Sequence, residues 1–347
     1  MIGTYLETRK LDMYKLFILC TFLFVSHNSW SNSIVAWEKS YYQAKKYIEL
    51  GDMVNAKLII LENVETSKII GADSFENILS LELLAILNLS EGRLQQVRKD
   101  YELIQQKMMN NPSVPDGSRV LSYSRYGDLL LDLGEYRLSA EKHKLAVQLI
   151  DNKIILDGAV LSTVYINLAK FYVQTNKVDQ AKLSINNALN IVLKQDGETS
   201  YRLSKCYFLL ALLAFNNQEN DSAIEYFLKT IYVLKAQKIV DFDGIAQSNS
   251  FLGAIYEGQK NISKAEVFYK RAYEFVNTGG KINSVRSLNA LVNYATFQFR
   301  QKRTAESFKI IKKSYQIAKR IYPKGSRKLN EIEEIYNIIM KEKDASD

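Results

Sequence analysis

Large, small and polar positions recur along this chain every 42 residues between residues 81 and 314, without insertion or deletion. Ala85, Gly127, Ala169, Ala211, Gly253 and Ala295 form a small column. Directly before it stand the large residues Leu84, Tyr126, Leu168, Leu210, Leu252 and Tyr294. A third column reads Val97, Ser139, Ala181, Ala223, Ala265 and Ser307, and a fourth Tyr101, His143, Ile185, Phe227, Tyr269 and Ile311. A fixed period of this size marks stacked supersecondary units, each burying its apolar face on the next.

Within a unit the pattern predicts two antiparallel helices. Tyr123, Tyr126 and Leu130 share one face at helical spacing, Gly134 interrupts, and Leu138, Leu145, Ala146 and Leu149 continue a second amphipathic stretch. The turn column is Gly92, Gly134, Asn176, Gln218, Lys260 and Lys302. It begins with glycine, which accepts a left-handed backbone, and moves on to polar residues that suit a surface turn. The small column belongs where the two helices cross most closely. Ala44, Gly51, Ala56 and Ile60 repeat the pattern 41 residues upstream, which makes seven units. After the last, Leu329, Ile332, Ile335, Tyr336 and Ile339 lie on one face of a further helix suited to cap an open apolar end.

The string Leu168-Ala169-Lys170-Phe171-Tyr172, then Ala181 and Ala188-Leu189, with Leu210-Ala211, Ala223 and Phe227 in the next unit, resembles the tetratricopeptide repeat. The period resembles the longer repeats of the kinesin light chain type. The resemblance implies an all-α, right-handed α-solenoid of about seven helix-turn-helix repeats over residues 37–320, with a capping helix over 326–343. It also implies binding of a protein or peptide, with no catalysis of its own. In the kinesin-light-chain-like repeats an asparagine before the large-small pair contacts the backbone of an extended peptide; Asn167 and Asn293 match it, while Leu83, Arg125, Leu209 and Phe251 do not. A carboxamide both donates and accepts, which suits main-chain recognition. Arg125, Lys170, Lys205, Gln247 and Asn289 are the other candidates on that inner face, mixed with Asp128 and apolar Leu209, Phe215 and Phe251.

Composition narrows the rest. Hydrophobic residues make up 47% of the 347, with only three prolines, as expected of a well-buried helical chain. The formal net charge is +8, unevenly distributed. Residues 300–328 hold eleven basic residues and one acidic residue, Glu306. Arg300, Lys302, Arg303, Lys309, Lys312, Lys313, Lys319 and Arg320 form a basic patch suited to an anionic membrane surface or an acidic partner. Nucleic acid is the less natural partner for an exported chain.

Export is the expectation from residues 1–31. Arg9, Lys10 and Lys15 precede an apolar run over 16–25, followed by small and polar residues up to Ser29-Trp30-Ser31. That order describes a secretory signal peptide, with Met13 a more typical start than Met1. The run of about ten residues falls short of the roughly 20 that span a bilayer. An uncleaved membrane anchor or an apolar first helix is the alternative, giving a cytoplasmic or membrane-tethered peptide-sensing regulator. Without the leader a single cysteine, Cys206, remains, so no internal disulfide forms, which fits a bacterial periplasm. Chemistry-bearing motifs are sparse: His27 and His143 are the only histidines, and no ligand spacing or glycine-rich phosphate loop points to a metal, a cofactor or an enzyme. His143 belongs to the aromatic column and to the core.

Overall fold

The computed structural model describes residues 31–48, 53–151, 156–237, 240–278 and 284–345. The leader, Gly51 and the loop glycines Gly279 and Gly280 lie outside the described residues.

Fifteen helices and no strand occur among the described residues. In chain order they are α1 (31–48), α2 (Met53–Ile70), α3 (Phe75–Ser90), α4 (Leu94–Asn110), α5 (Asp116–Asp132), α6 (Tyr136–Asp151), α7 (Gly158–Gln174), α8 (Val178–Asp196), α9 (Tyr201–Asn216), α10 (Asn220–Lys235), α11 (Phe242–Gly258), α12 (Ile262–Thr278), α13 (Val285–Arg300), α14 (Thr304–Ile321) and α15 (Arg327–Asp344). They succeed one another as seven pairs and a last helix, the arrangement of an α-solenoid. None of the described helices is long and apolar enough to cross a membrane. The chain divides into two compact units, one of residues up to Leu87 with Lys107–Ser113, the other of Asn88–Gln106 with Val114–Asp347.

The turns within pairs share one geometry. Gly92, Gly134, Asn176, Gln218, Lys260 and Lys302 all have positive φ, between 57° and 80°. Each turn amide donates to the carbonyl three residues back, and the next amide to the carbonyl five back, as in Gln218 to Phe215 (3.0 Å) and Glu219 to Ala214 (2.9 Å). This Schellman arrangement satisfies carbonyls that the helix end leaves free. Glycine adopts it without strain, whereas an L side chain there costs on the order of 1 kcal/mol. Gln218→Gly, Lys260→Gly and Lys302→Gly are each expected to raise stability by about 0.5–1 kcal/mol, after the added entropy of the unfolded chain is counted. An unchanged urea midpoint in all three would remove strain from these turns.

The first helices α7, α9, α11 and α13 and the last helix α15 start on a side-chain cap, whereas α5 starts on Pro115 without one. Asp157, Ser200, Asp241, Ser284 and Ser326 accept from the Ala159, Arg202, Gly244, Ser287 and Leu329 amides respectively. Short acceptors at this position satisfy the free amides of the first turn.

The helix crossings fall at the small column. Ala169, Ala211 and Ala295 are fully buried, and a Cβ built on Gly127 or Gly253 would meet the His143 or Tyr269 ring at 2.8–3.0 Å. Where the third column holds serine, its hydroxyl bonds across the crossing, Ser139 to the Gly127 carbonyl and Ser307 to the Ala295 carbonyl, both at 2.7 Å. In the smaller unit a buried polar network takes over. The Trp37 indole donates to Ser80 (2.8 Å), Ser80 to Asn63 (2.7 Å), and Asn63 to the Trp37 carbonyl (2.9 Å), which ties α1, α2 and α3 together. At the other end Tyr336 of α15 stacks on Phe308 and Tyr315 of α14 while Leu329, Ile332 and Ile339 are buried.

Candidate functional site

The first helices α5, α7, α9, α11 and α13 carry polar side chains that pack against protein yet stay partly open to water. On α5 and α7, the Lys170 ammonium lies 2.7 Å from Asp128 and 2.7 Å from Asp132. The three side chains keep 27–30% of their exposure. Burial favours neutral Lys170, but the two carboxylates outweigh it and hold its pKa well above the ordinary value. Burial raises the Asp132 carboxyl, against Lys170 and against Arg286 of α13. Arg286 is thus among the charges that act on Asp132, and the polar face shared by these first helices in the larger unit is the recess of the candidate site.

A second node joins three first helices. Asp241, the N-cap of α11, accepts from Tyr201 of α9 (2.9 Å), from Arg286 of α13 (3.0 Å) and from the Gly244 amide (2.8 Å). Burial would raise its carboxyl, but Arg286, the amide and the phenol together hold it below its usual range. Burial pushes the Tyr201 hydroxyl up to about 12, so it stays a donor. Asp241→Asn should cost about 2 kcal/mol, because breaking a buried pair leaves a guanidinium behind; Arg286 is 42% exposed, so water offsets part of the larger loss seen in closed cores. An unaltered denaturation midpoint would show that the staple contributes nothing.

Lys205 lies between the nodes. Its ammonium sits 5.2 Å from the Tyr201 ring centroid, and it has no ion-pair partner among the described residues. Burial and then Arg286 lower its pKa, opposed by Asp128 and Asp241.

Lys170 and Lys205 thus belong to one polar recess. Gln247 is half-buried on α11, Asn289 exposed on α13, and Arg125 half-buried on α5. Each of the two asparagines also has a partner within the protein. Asn167 donates to Ser124 (3.1 Å) and Asn293 to Ser250 (2.9 Å), each bridging to the preceding first helix. Leu209 is buried and Phe251 stacks on Phe227 at 5.2 Å, so these apolar residues fill seams between helices rather than the recess. Asp132, Tyr201, Asp241 and Arg286 went unnoticed in the sequence. Asp241 alone carried a signal, as an aspartate opening a helix.

The basic segment is partly neutralised. Arg300 makes a two-pronged pair with Glu257 (2.7 and 2.8 Å), Arg303 pairs with Glu266, and Lys313 reaches Asn277 at 3.3 Å. Lys302, Lys309 and Arg320 are exposed, while Lys312 and Lys319 lie over the Phe308 and Tyr315 rings. Cys206 is fully buried and burial pushes its thiol up to about 12. Among the described residues no group of three His, Cys, Asp or Glu could hold a metal ion.

The sequence model of the tetratricopeptide repeat matches residues 162–191 and 204–233, the pairs α7–α8 and α9–α10. The chain carries tetratricopeptide repeats. No curated protein matches it in sequence. Among solved structures it is similar to a Rap protein complexed with competence and sporulation factor, at 11% identity over 84% of this chain and 78% of that one, TM-score 0.63. It is also similar to NprR in complex with its cognate peptide NprX (12%, 88% and 83%, TM-score 0.60). The apo form of the quorum sensor NprR from B. thuringiensis gives 13%, 87% and 80%, with a TM-score of 0.57. These likenesses concern the fold of the repeats.

Proposed function

We propose that the repeat array is a scaffold that binds a peptide, or an extended segment of a protein, along the recess lined by α5, α7, α9, α11 and α13. The observation that carries this reading is the run of paired polar side chains on successive first helices, Lys170 with Asp128 and Asp132, then Tyr201 and Arg286 on Asp241, which keep part of their exposure. Such a space offers alternating donors and acceptors to a main chain, with Lys205, Gln247 and Asn289 left to contact it. The solved structure of NprR, of similar fold, with its cognate peptide supports the reading without fixing the ligand.

A second reading, a peptide-sensing regulator, draws support from Asp241. One carboxylate staples α9, α11 and α13, so a ligand competing for Arg286 would shift their arrangement. The exposed Lys309, Lys312 and Arg320 offer a separate ionic contact to an acidic partner or an anionic membrane surface, one that would weaken with salt.

The test is selection from a displayed random-peptide library, followed by calorimetry of the selected peptide. Lys205→Ala, Gln247→Ala and Asn289→Ala combined should weaken it at least tenfold, about 1.4 kcal/mol. Lys309→Glu with Lys312→Glu should leave it unchanged. Equal affinity of the triple variant and the wild type would move the site away from the recess.

A further inference from the structure

In the larger unit, successive first helices meet through one recurring pair of positions, and one junction departs from its neighbours. Ser124 with Asn167 joins α5 to α7 at 3.1 Å, and Ser250 with Asn293 joins α11 to α13 at 2.9 Å. The equivalent pair between α9 and α11 is Phe208 with Phe251, ring centroids 6.0 Å apart. Ion pairs reinforce the two polar junctions, Lys170 with Asp128 and Asp132 in one, Arg286 with Asp241, Arg300 with Glu257 and Arg303 with Glu266 in the other. Between α7 and α9 the pair is Ile166 with Leu209, and Arg202 donates to Ser162 at 2.9 Å. Among the described residues, Tyr201 to Asp241 is the side-chain hydrogen bond that joins α9–α10 to α11–α12, at the start of both first helices. α9 and α11 also stand farther apart than α5 and α7 or α11 and α13.

We propose that the larger unit bends at this seam, with α5–α10 and α11–α15 as the two moving blocks and the Tyr201–Asp241 bond as the latch between them. The tolerance of the contacts decides where motion goes. A hydrogen bond confines its atoms to a window of about 0.5 Å, whereas an aromatic pair keeps its attraction over centroid distances of about 4.5–7 Å, stacked or edge-on. Phe251 has neighbours of both kinds. It stacks on Phe227 of α10 at 5.2 Å and 7°, and meets Phe208 and Phe215 of α9 edge-on at 6.0 and 5.5 Å. The Phe227–Phe251 stack is the pivot, and rotation about it widens or narrows the gap between α9 and α11 on the side of the recess. Phe208, Phe215 and Phe251 are half-buried, so their rings slide without breaking open a closed core. Curvature of a solenoid is a sum of small rotations between repeats, so a change at one seam displaces both ends of the array.

The hinge deepens the regulatory reading of Asp241 and rests on that reading only for its response to a peptide. Lys144, Asn186, Leu228, Lys270 and Lys312 occupy one exposed position of successive second helices and give matched label sites. In the full chain carrying Cys20→Ser and Cys206→Ala, spin labels would be attached to three double variants: Lys144→Cys with Leu228→Cys, Asn186→Cys with Lys270→Cys, and Leu228→Cys with Lys312→Cys. Electron double resonance then reads the distance distribution of each. The first pair lies on one side of the seam and the other two cross it. Both crossing pairs should give distributions about twice as broad as the first, because a hinge confines the motion to a few positions. Tyr201→Phe should broaden those two further and leave the first unchanged. Equal widths in all three pairs of the unliganded protein would overturn the hinge, since the array would then flex evenly. The peptide selected for the recess tests the coupling separately and should narrow or shift only the crossing pairs. Distributions that a bound peptide leaves unaltered would overturn the regulatory reading while the hinge stands.

Discussion

Gly253→Leu is expected to lower stability by about 3 kcal/mol, the upper range for overpacking a closed site. The Cβ of any residue at 253 falls 2.8 Å from Cγ of Tyr269, an atom of a rigid ring that is 2% exposed. Tyr269 cannot swing clear, because its ring packs 4.8 Å from Phe297 and its hydroxyl donates to Glu257 at 3.0 Å. The added side chain must therefore separate α11 from α12. Ala211→Leu, at the equivalent crossing against Phe227, should cost about 1–3 kcal/mol, since that pair already accommodates one methyl group. Denaturation by urea measures both. A Gly253→Leu protein with the wild-type midpoint would mean that the crossing opens freely and is not the close contact of the repeat.

Acid should expose His143 as a second weak point. The ring is 2% exposed, packs 5.3 Å from Phe171, and neither nitrogen has a protein partner. Burial lowers its pKa to about 4, with Asp128 opposing and Lys170 reinforcing the shift. The unfolded chain binds the proton near pH 6.5 and the folded chain only near 4, so the unfolded state holds more protons in that window. Stability is full above pH 6.5, falls as pH drops towards 4, and loses roughly 3 kcal/mol from this residue alone. His143→Phe should abolish that part of the decline, and Phe227 opposite Ala211 shows that the column accepts the larger ring. The difference between the two proteins, measured at pH 7 and pH 4, isolates the histidine from the carboxylates. Parallel curves would mean that the ring already has access to solvent.

How much of this was legible in advance can be followed residue by residue. The small column, the turn column and the aromatic column all depend on local geometry repeated at one spacing. Sequence alone therefore placed Gly127 at a close crossing, His143 in the core and Gln218 at a turn. The recess is another matter. Asp132 and Arg286 lie in different repeats and neither belongs to a column, so nothing periodic linked them. The resemblance pointed to Asn167 and Asn293 as candidate peptide contacts, and sequence was silent on their partners within the protein. Only the packing of successive first helices showed their amide groups bonded to Ser124 and Ser250.

The basic segment divides in the same way. Its net charge was countable, but whether each cation is free depends on the preceding pair, where Glu257 and Glu266 meet Arg300 and Arg303. Sequence by itself determined the helices, their pairing and the close crossings, because those follow from side-chain size and backbone freedom within some forty residues. Tertiary structure alone decided which polar groups meet across the recess, since that depends on how successive pairs stack, a sum of small rotations that no single residue encodes.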